Sequence, residues 1–405
     1  MKGHFTLLIL SGLIGLPDRL RSEDKPALEI WLDADFTNYR ESSVAIEMGA
    51  QLAIENHGSA IQGRQIIIKR VDHRGNSKRS KRNIQSFKTS EQGLAMMSGI
   101  HSPPLLAHRK LINEEKVPFL VPWAAAGPIT RAEGPSNYIF RLSIDDSKAG
   151  IFLSNYAART LKSTSPCLLL EDTGWGTSNL KTMGLGFQEN KVQIAKVVRF
   201  QWGIKSNQAK HIAAKLYDAN CDLILLVANS KEGAILINAL AHHPEPTKIP
   251  VLSHWGITGG DFHEVVPHSI RSLLNLKFIQ TSFNFNQIKS TRKKQVFDRL
   301  IQTNPDIRSS SDIKAGTGVS HAYDLTSIVL LALQSMDLSQ PITKLREQLK
   351  HSLETKPLRF DGLVKSYKNP FKPYRKDNPD AHEALTLEDF AIGYYSKDNV
   401  ILNVE

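Results

Sequence analysis

The chain has 405 residues, 41% of them hydrophobic and 22% charged, a length and balance that suit two globular domains and exclude a disordered chain or a fibrous repeat. Its formal charge is +11, and much of the excess sits in residues 69–82, KRVDHRGNSKRSKR. That run has no interleaved aromatic side chain, so it reads as the solvated face of a helix rather than a track for nucleic acid.

At the N-terminus, Lys2 and His4 precede an apolar run over residues 5–16 that is too short to span a bilayer. This pattern predicts a signal peptide over residues 1–22, cleaved near Ser22, and so a periplasmic protein. Strand-like and helical segments then alternate as βαβ units do. Strands are expected at residues 27–32, 65–71, 93–99 and 118–121, with helices at 42–56, 77–89 and 105–115 between them. A second set has strands at 167–171, 194–200, 223–228 and 250–253 and helices at 149–161, 179–189, 208–218 and 231–241. A strand at 278–281 and helices at 293–302, 318–336 and 342–352 follow, before a polar, proline-dotted tail that ends strand-like at 389–404. The fold class expected is α/β, two doubly wound lobes, each with a parallel sheet. Cys167 and Cys221 are too few for a disulfide scaffold. Each opens an apolar strand, so they could pair in an oxidising compartment, though two buried free thiols are the simpler expectation.

Enzyme signatures fail one by one. HWGITGGDF, residues 254–262, is neither of the glycine patterns that cradle phosphates, and the loop after the first strand, DADFTNYRESS, has no glycine at all. No G-x-S-x-G is present. The pair His242 and His243 sits at a helix end beside Pro244, where it caps rather than ligates, and no second cluster has metal-ligand spacing. No catalytic residue, cofactor or metal is therefore expected. What remains is a set of loops at the carboxyl ends of parallel strands, where open α/β sheets bind ligands. They supply Tyr39, Trp123, Trp175 and Trp255, aromatic walls for a planar or apolar ligand. Ser102, with Pro103 and Pro104, reads as a helix start able to hold an anion, and Thr177 and Ser178 read the same way in the second half. Ser42 and Asn229 complete the candidate set.

These residues lie in stretches by which the chain resembles the periplasmic solute-binding proteins of the branched-chain amino-acid type, the type I receptors of ABC importers. The stretches are GAQLAIENHGSAIQGRQIIIKRVDHRGNSKRS, MMSGIHSPP, KVPFLVPWAAAGPIT, NYIFRLSIDDSKAG, EDTGWG and HAYDLTSIVLLAL. The resemblance implies two lobes joined by three crossovers, near residues 147, 277 and 357, that close on a small ligand. Lobe 1 would comprise 26–147 and 278–356, lobe 2 148–277 and 357–405. It implies that Ser102, Trp123, Ala124 and Ala125 hold a ligand carboxylate and that Trp175 contributes the aromatic wall of lobe 2. Ala125 stands where a threonine is common, and Trp255 where an ammonium-binding acid is expected, with His254, Asp261 or Asp35 as substitutes. An aromatic or otherwise planar acid suits that pattern better than an ordinary amino acid. The partners implied are a small-molecule ligand and a membrane permease, with no nucleic acid, and the chain is expected to be a monomer. A periplasmic sensor acting on a signalling partner, and a cytoplasmic nucleotide-using α/β enzyme, remain alternatives.

Overall fold

Apolar runs and the helices between them assemble into two parallel sheets. The computed structural model describes residues 25–404 apart from Glu133, Pro135 and Pro246, so the expected leader lies outside the described residues. The first sheet runs in the order Ala60–Ile61, Arg64–Asp72, Leu28–Ala34, Gly93–Ser98, Phe119–Val121, Ile139–Arg141. Leu28–Ala34 lies buried in its middle, parallel to a neighbour on each side. The second sheet is ordered Ile401–Asn403, Phe390–Tyr395, Lys277–Thr281, Val251–Ser253, Leu223–Val227, Pro166–Glu171, Lys196–Phe200. Its central strand LILLV is buried throughout, as a strand covered by helices on both faces must be. The two tail strands add in antiparallel fashion.

In each sheet the strand order reverses between two neighbours, Leu28–Ala34 and Gly93–Ser98 in the first, Pro166–Glu171 and Leu223–Val227 in the second. Loops leaving such a pair diverge to opposite faces and open a crevice at the carboxyl ends. The crevices of the two sheets face each other, which makes the space between the lobes the candidate site.

The lobe boundaries differ from those expected. Lys277–Thr281 pairs with Val251–Ser253, so the chain leaves lobe 2 after Thr281, not near 277. Residues 357–385 pack on lobe 1 rather than lobe 2. The hairpin of Arg359–Asp361 and Ser366–Lys368 buries Phe360 and Tyr367, and Asp324 of the helix Gly316–Gln334 accepts the Tyr367 hydroxyl and the Leu363 and Val364 N–H groups. His382 stacks on Phe140 and Glu383 pairs with the buried Arg141, both beside the last strand of the first sheet. Only the strands from Phe390 onward join lobe 2. Cys167 and Cys221 form a disulfide, not two free thiols, because the strands they open are direct neighbours in the sheet. No helix among the described residues is long and apolar enough to cross a membrane.

Candidate functional site

On lobe 1 the strand Leu28–Ala34 delivers Asp35 to the cleft, buried and accepting hydrogen bonds from the Asn38 N–H at 2.8 Å and from His101 Nε2 at 3.3 Å. Burial pushes this carboxyl up, but the bonds from His101 and Asn38 outweigh it and hold it at about 2. Tyr39 precedes the helix Arg40–Asn56, lies edge-on to His101 at 4.9 Å, and donates its hydroxyl to Glu232 of lobe 2 at 2.5 Å. Ser42, in the first helical turn, is buried against Gly259 of lobe 2. Trp123, Ala124 and Ala125 follow the strand Phe119–Val121, all buried, and the Ala125 carbonyl accepts the Asp146 N–H at 2.9 Å.

Ser102 opens the helix Ser102–Glu114, but its hydroxyl already accepts the Ala126 N–H at 3.2 Å. Pro103 and Pro104 remove two of the N–H groups that a helix start offers an anion, so the cradle expected there is thin. In lobe 2 the helix starts earlier than Thr177 and Ser178: Thr173 caps Gly174–Glu189 by accepting the Trp175 N–H. Ser178 instead reaches across the cleft and accepts the Gly127 N–H at 3.1 Å.

Trp175 is 6% exposed, its ring is edge-on to His254 at 5.1 Å, and its indole N–H has no partner. His254 Nδ1 accepts the Trp255 N–H, which leaves Nε2 to donate to Asp146 at 2.9 Å, while the other oxygen of that buried carboxylate has no partner. Trp255 is wedged between Trp123 of lobe 1, at 5.7 Å, and His321, at 5.2 Å. The stretch HWGITGGDF is thus a wall and not a phosphate loop. A Cβ on Gly256 would meet the Ala228 carbonyl and the Trp175 ring, and Gly260 takes a positive φ of 65°.

Asn229 donates to Glu171 at 3.3 Å, and Thr173 donates to the other oxygen of Glu171 at 2.9 Å. Burial, helped by the nearby Glu232 charge, pushes the Glu171 carboxyl up to about 7. Glu232, in the first turn of the helix Ser230–Ala241, accepts the Gly203 N–H at 3.1 Å besides the Tyr39 hydroxyl. Tyr39 is itself held well above its ordinary value by burial and by Glu232.

All nine expected residues are buried, and Tyr39, Ser42 and Trp123 contact lobe 2 directly. Sequence reasoning missed the polar floor: Asp146, Glu171, Glu232 and His101. Glu171 was marked only by ending an apolar strand, and Glu232 by standing three residues after Asn229. Asp261, offered as an acid partner, precedes the short helix Phe262–Val265, and its backbone carbonyl, not its carboxylate, accepts the Glu264 and Val265 N–H groups. No group of three or more potential metal ligands occurs among the described residues.

The cleft can be set beside known proteins. Residues 31–383 match the family of periplasmic binding proteins. Among curated proteins none matches the chain. Among solved structures it is similar to a type 1 periplasmic binding protein from Bordetella pertussis, with TM-score 0.77, 16% identity and coverage of 93% of this chain and 99% of that one. A leucine-binding protein of Thermotoga maritima superposes with TM-score 0.74 at 15% identity, over 94% of this chain and 98% of that one. An ABC-transporter solute-binding protein from R. palustris in complex with 4-hydroxybenzoate does so with TM-score 0.75 at 15% identity, over 94% and 96%. Two doubly wound lobes closed over a buried aromatic and polar cleft, and a family match over most of the length, lead to one conclusion: this chain belongs to the periplasmic binding protein family.

Proposed function

We propose that the chain is an extracytoplasmic receptor that traps a small organic ligand by closing its lobes and delivers it to the permease of an ABC importer. The observation that carries this reading is the buried contact across the cleft, Tyr39 to Glu232 and Trp123 to Trp255. A ligand touching both lobes binds the closed state better than the open one and shifts the population toward it. The disulfide supports an oxidising compartment outside the cytoplasm. Solved relatives are described as bound to isoleucine, leucine and hydroxybenzoates, which makes a small amino-acid-like or aromatic molecule the size class to test. The nine residues Tyr39, Ser42, Ser102, Trp123, Ala124, Ala125, Trp175, Asn229 and Trp255 form its walls, and Asp146 and the Trp175 N–H offer one free acceptor and one free donor.

The test is a thermal-shift panel of amino acids, aromatic acids, amides, diacids and amines. A ligand at a hundred times its dissociation constant stabilises the fold by roughly 3 kcal/mol. Trp175→Ala should weaken the best hit about thirtyfold, as loss of a buried aromatic anchor does, with little change in Tm of the free protein. Unchanged affinity would remove Trp175 from the site, and a panel with no hit of any class would count against capture.

A further inference from the structure

The basic run over residues 69–82 has a counterpart in the second lobe. Residues 69–82 hold seven lysines and arginines against one acid, Asp72, and residues 191–217 hold six against none. With histidine neutral the two segments carry a net +12, so the other 364 residues of this +11 chain carry a net −1. The positive excess of the whole molecule is confined to two short segments, one in each lobe.

In lobe 1 the helix Ser77–Lys88 buries Ser80, Ile84 and Phe87 and leaves Lys78, Lys81 and Arg82 exposed. In lobe 2 the helix Ser206–Asp218 buries Ala209, Ala213 and Leu216, while Lys205, Lys210 and Lys215 are exposed. The helical repeat thus sorts apolar from basic positions on both. Four of the thirteen basic side chains pair with acids: Lys69 with Glu29, Arg70 with Glu47, Arg74 with Asp72 and Arg199 with Asp172. The other nine have no acidic partner among the described residues. The two helices also start close together. Trp202, four residues before the second helix, places its ring centroid 4.9 Å from that of His101 in lobe 1. A Cβ on Gly75, two residues before the first helix, would lie 3.8 Å from the same indole. Lobe closure therefore joins the two basic segments where their helices begin.

We propose that the two segments form one docking face for an anionic phospholipid bilayer. This goes beyond capture and does not depend on which molecule the cleft holds. The two helices expose no Phe, Tyr or Trp, so the bases of a nucleic acid find no platform to stack on. A protein partner is usually held by apolar or aromatic anchors inside a polar rim, and the outward positions of these helices offer none. Lipid phosphates need no such anchor. Their attraction sums over the basic residues near the leaflet and acts within a Debye length, about 8 Å at physiological salt. Exposed lysines suit that role, because a hydrated ammonium on a flexible stem can follow a fluid layer of headgroups. Since the rest of the chain is close to neutral, only this face is drawn to the lipid, which fixes one orientation. So docked, the exported receptor stays at the membrane that holds its permease.

The experiment is co-sedimentation of the full chain with vesicles of phosphatidylglycerol and phosphatidylcholine in equal parts, and with vesicles of phosphatidylcholine alone. The neutral vesicles read any attachment through the apolar run of residues 5–16. The anionic vesicles should bind the protein about tenfold more strongly than the neutral ones, and raising NaCl from about 50 to 300 mM should remove the difference. Two charge-reversed variants, Lys78→Glu with Lys81→Glu and Arg82→Glu, and Lys205→Glu with Lys210→Glu and Lys215→Glu, should each bind the anionic vesicles about tenfold more weakly. All six positions are exposed, so Tm should change little, and glutamine at the same positions should weaken binding in the same direction. A control with the same change of net charge elsewhere, Lys372→Glu with Lys376→Glu and Lys397→Glu on the tail, should keep most of the binding. Equal binding to both kinds of vesicle would overturn the proposal, as would a tail variant that loses as much as the other two. Binding to soluble polyglutamate without binding to anionic vesicles would also overturn it, in favour of an acidic protein partner. The small-molecule panel reads capture separately, so a variant that leaves the vesicles and keeps its ligand isolates the docking face from the cleft.

Discussion

Tyr39 illustrates how much one side chain can decide. Its ring belongs to lobe 1 and its hydroxyl to Glu232 of lobe 2, so the hydrogen bond exists only when the lobes are closed. A bond to a buried carboxylate contributes about 1.5–3 kcal/mol. Tyr39→Phe should therefore leave the Tm of the free protein nearly unchanged but shift the lobes toward the open form, seen as a larger radius of gyration and about tenfold weaker ligand affinity. An unaltered scattering profile and affinity would show that the bond forms without holding the lobes. Tyr39 and the tryptophans were legible in the sequence because large aromatics after strand ends have few other reasons to stand there. The carboxylates were not. Glu171 and Glu232 look like ordinary surface acids, and only the strand reversal beside Glu171 and the docking of lobe 1 on Glu232 bury them. Trp255, taken as the site of a missing acid, is fully packed between Trp123 and His321. The acid nearest its wall is Asp146, more than a hundred residues away in sequence, reached through His254.

Among elements, the βα units were readable from apolar periodicity, and the expected strands and helices are found within a few residues through Thr355, whereas the short strands Ala60–Ile61 and Ile139–Arg141 and the short helices Phe262–Val265 and His268–Leu273 were missed. The tail was not, since its contacts are polar and distant. Asp324 holds the hairpin of residues 359–368 with three hydrogen bonds, from two backbone N–H groups and Tyr367, and no pattern in the helix Gly316–Gln334 announces that role. Arg131, Arg141, Lys148, Asp145, Asp380 and Glu383 tie the tail to the first crossover in the same way. Asp324→Asn turns an NH₂ group toward a donor and should cost about 2–3 kcal/mol in urea unfolding. It should also make the hairpin the earliest segment to exchange its amide hydrogens. A loss within experimental error would show that Phe360 and Tyr367 hold the hairpin by packing alone.

Across the described residues, three carboxyls lie far above their ordinary values, and burial is the main cause in each: Asp33 at about 6, Asp324 at about 7 and Glu171 at about 7. The folded state grips these protons more tightly than the unfolded chain, so the stability they contribute is complete below their ordinary values, near 4, and is lost as pH rises through 6 and 7. Asp35 works in the opposite sense, its stabilisation present above its ordinary value and lost only as pH falls toward about 2. His73 and His321, each held down at about 4 by burial, work against the three raised carboxyls, their stability being lost as pH falls below their ordinary value, so urea unfolding should be more difficult near pH 5 than at pH 8 by about 2–3 kcal/mol. Asp324→Asn should flatten the slope by removing one of the three protons. A curve that stays level from pH 5 to 8 would mean that these carboxyls ionise in the fold as they do in water.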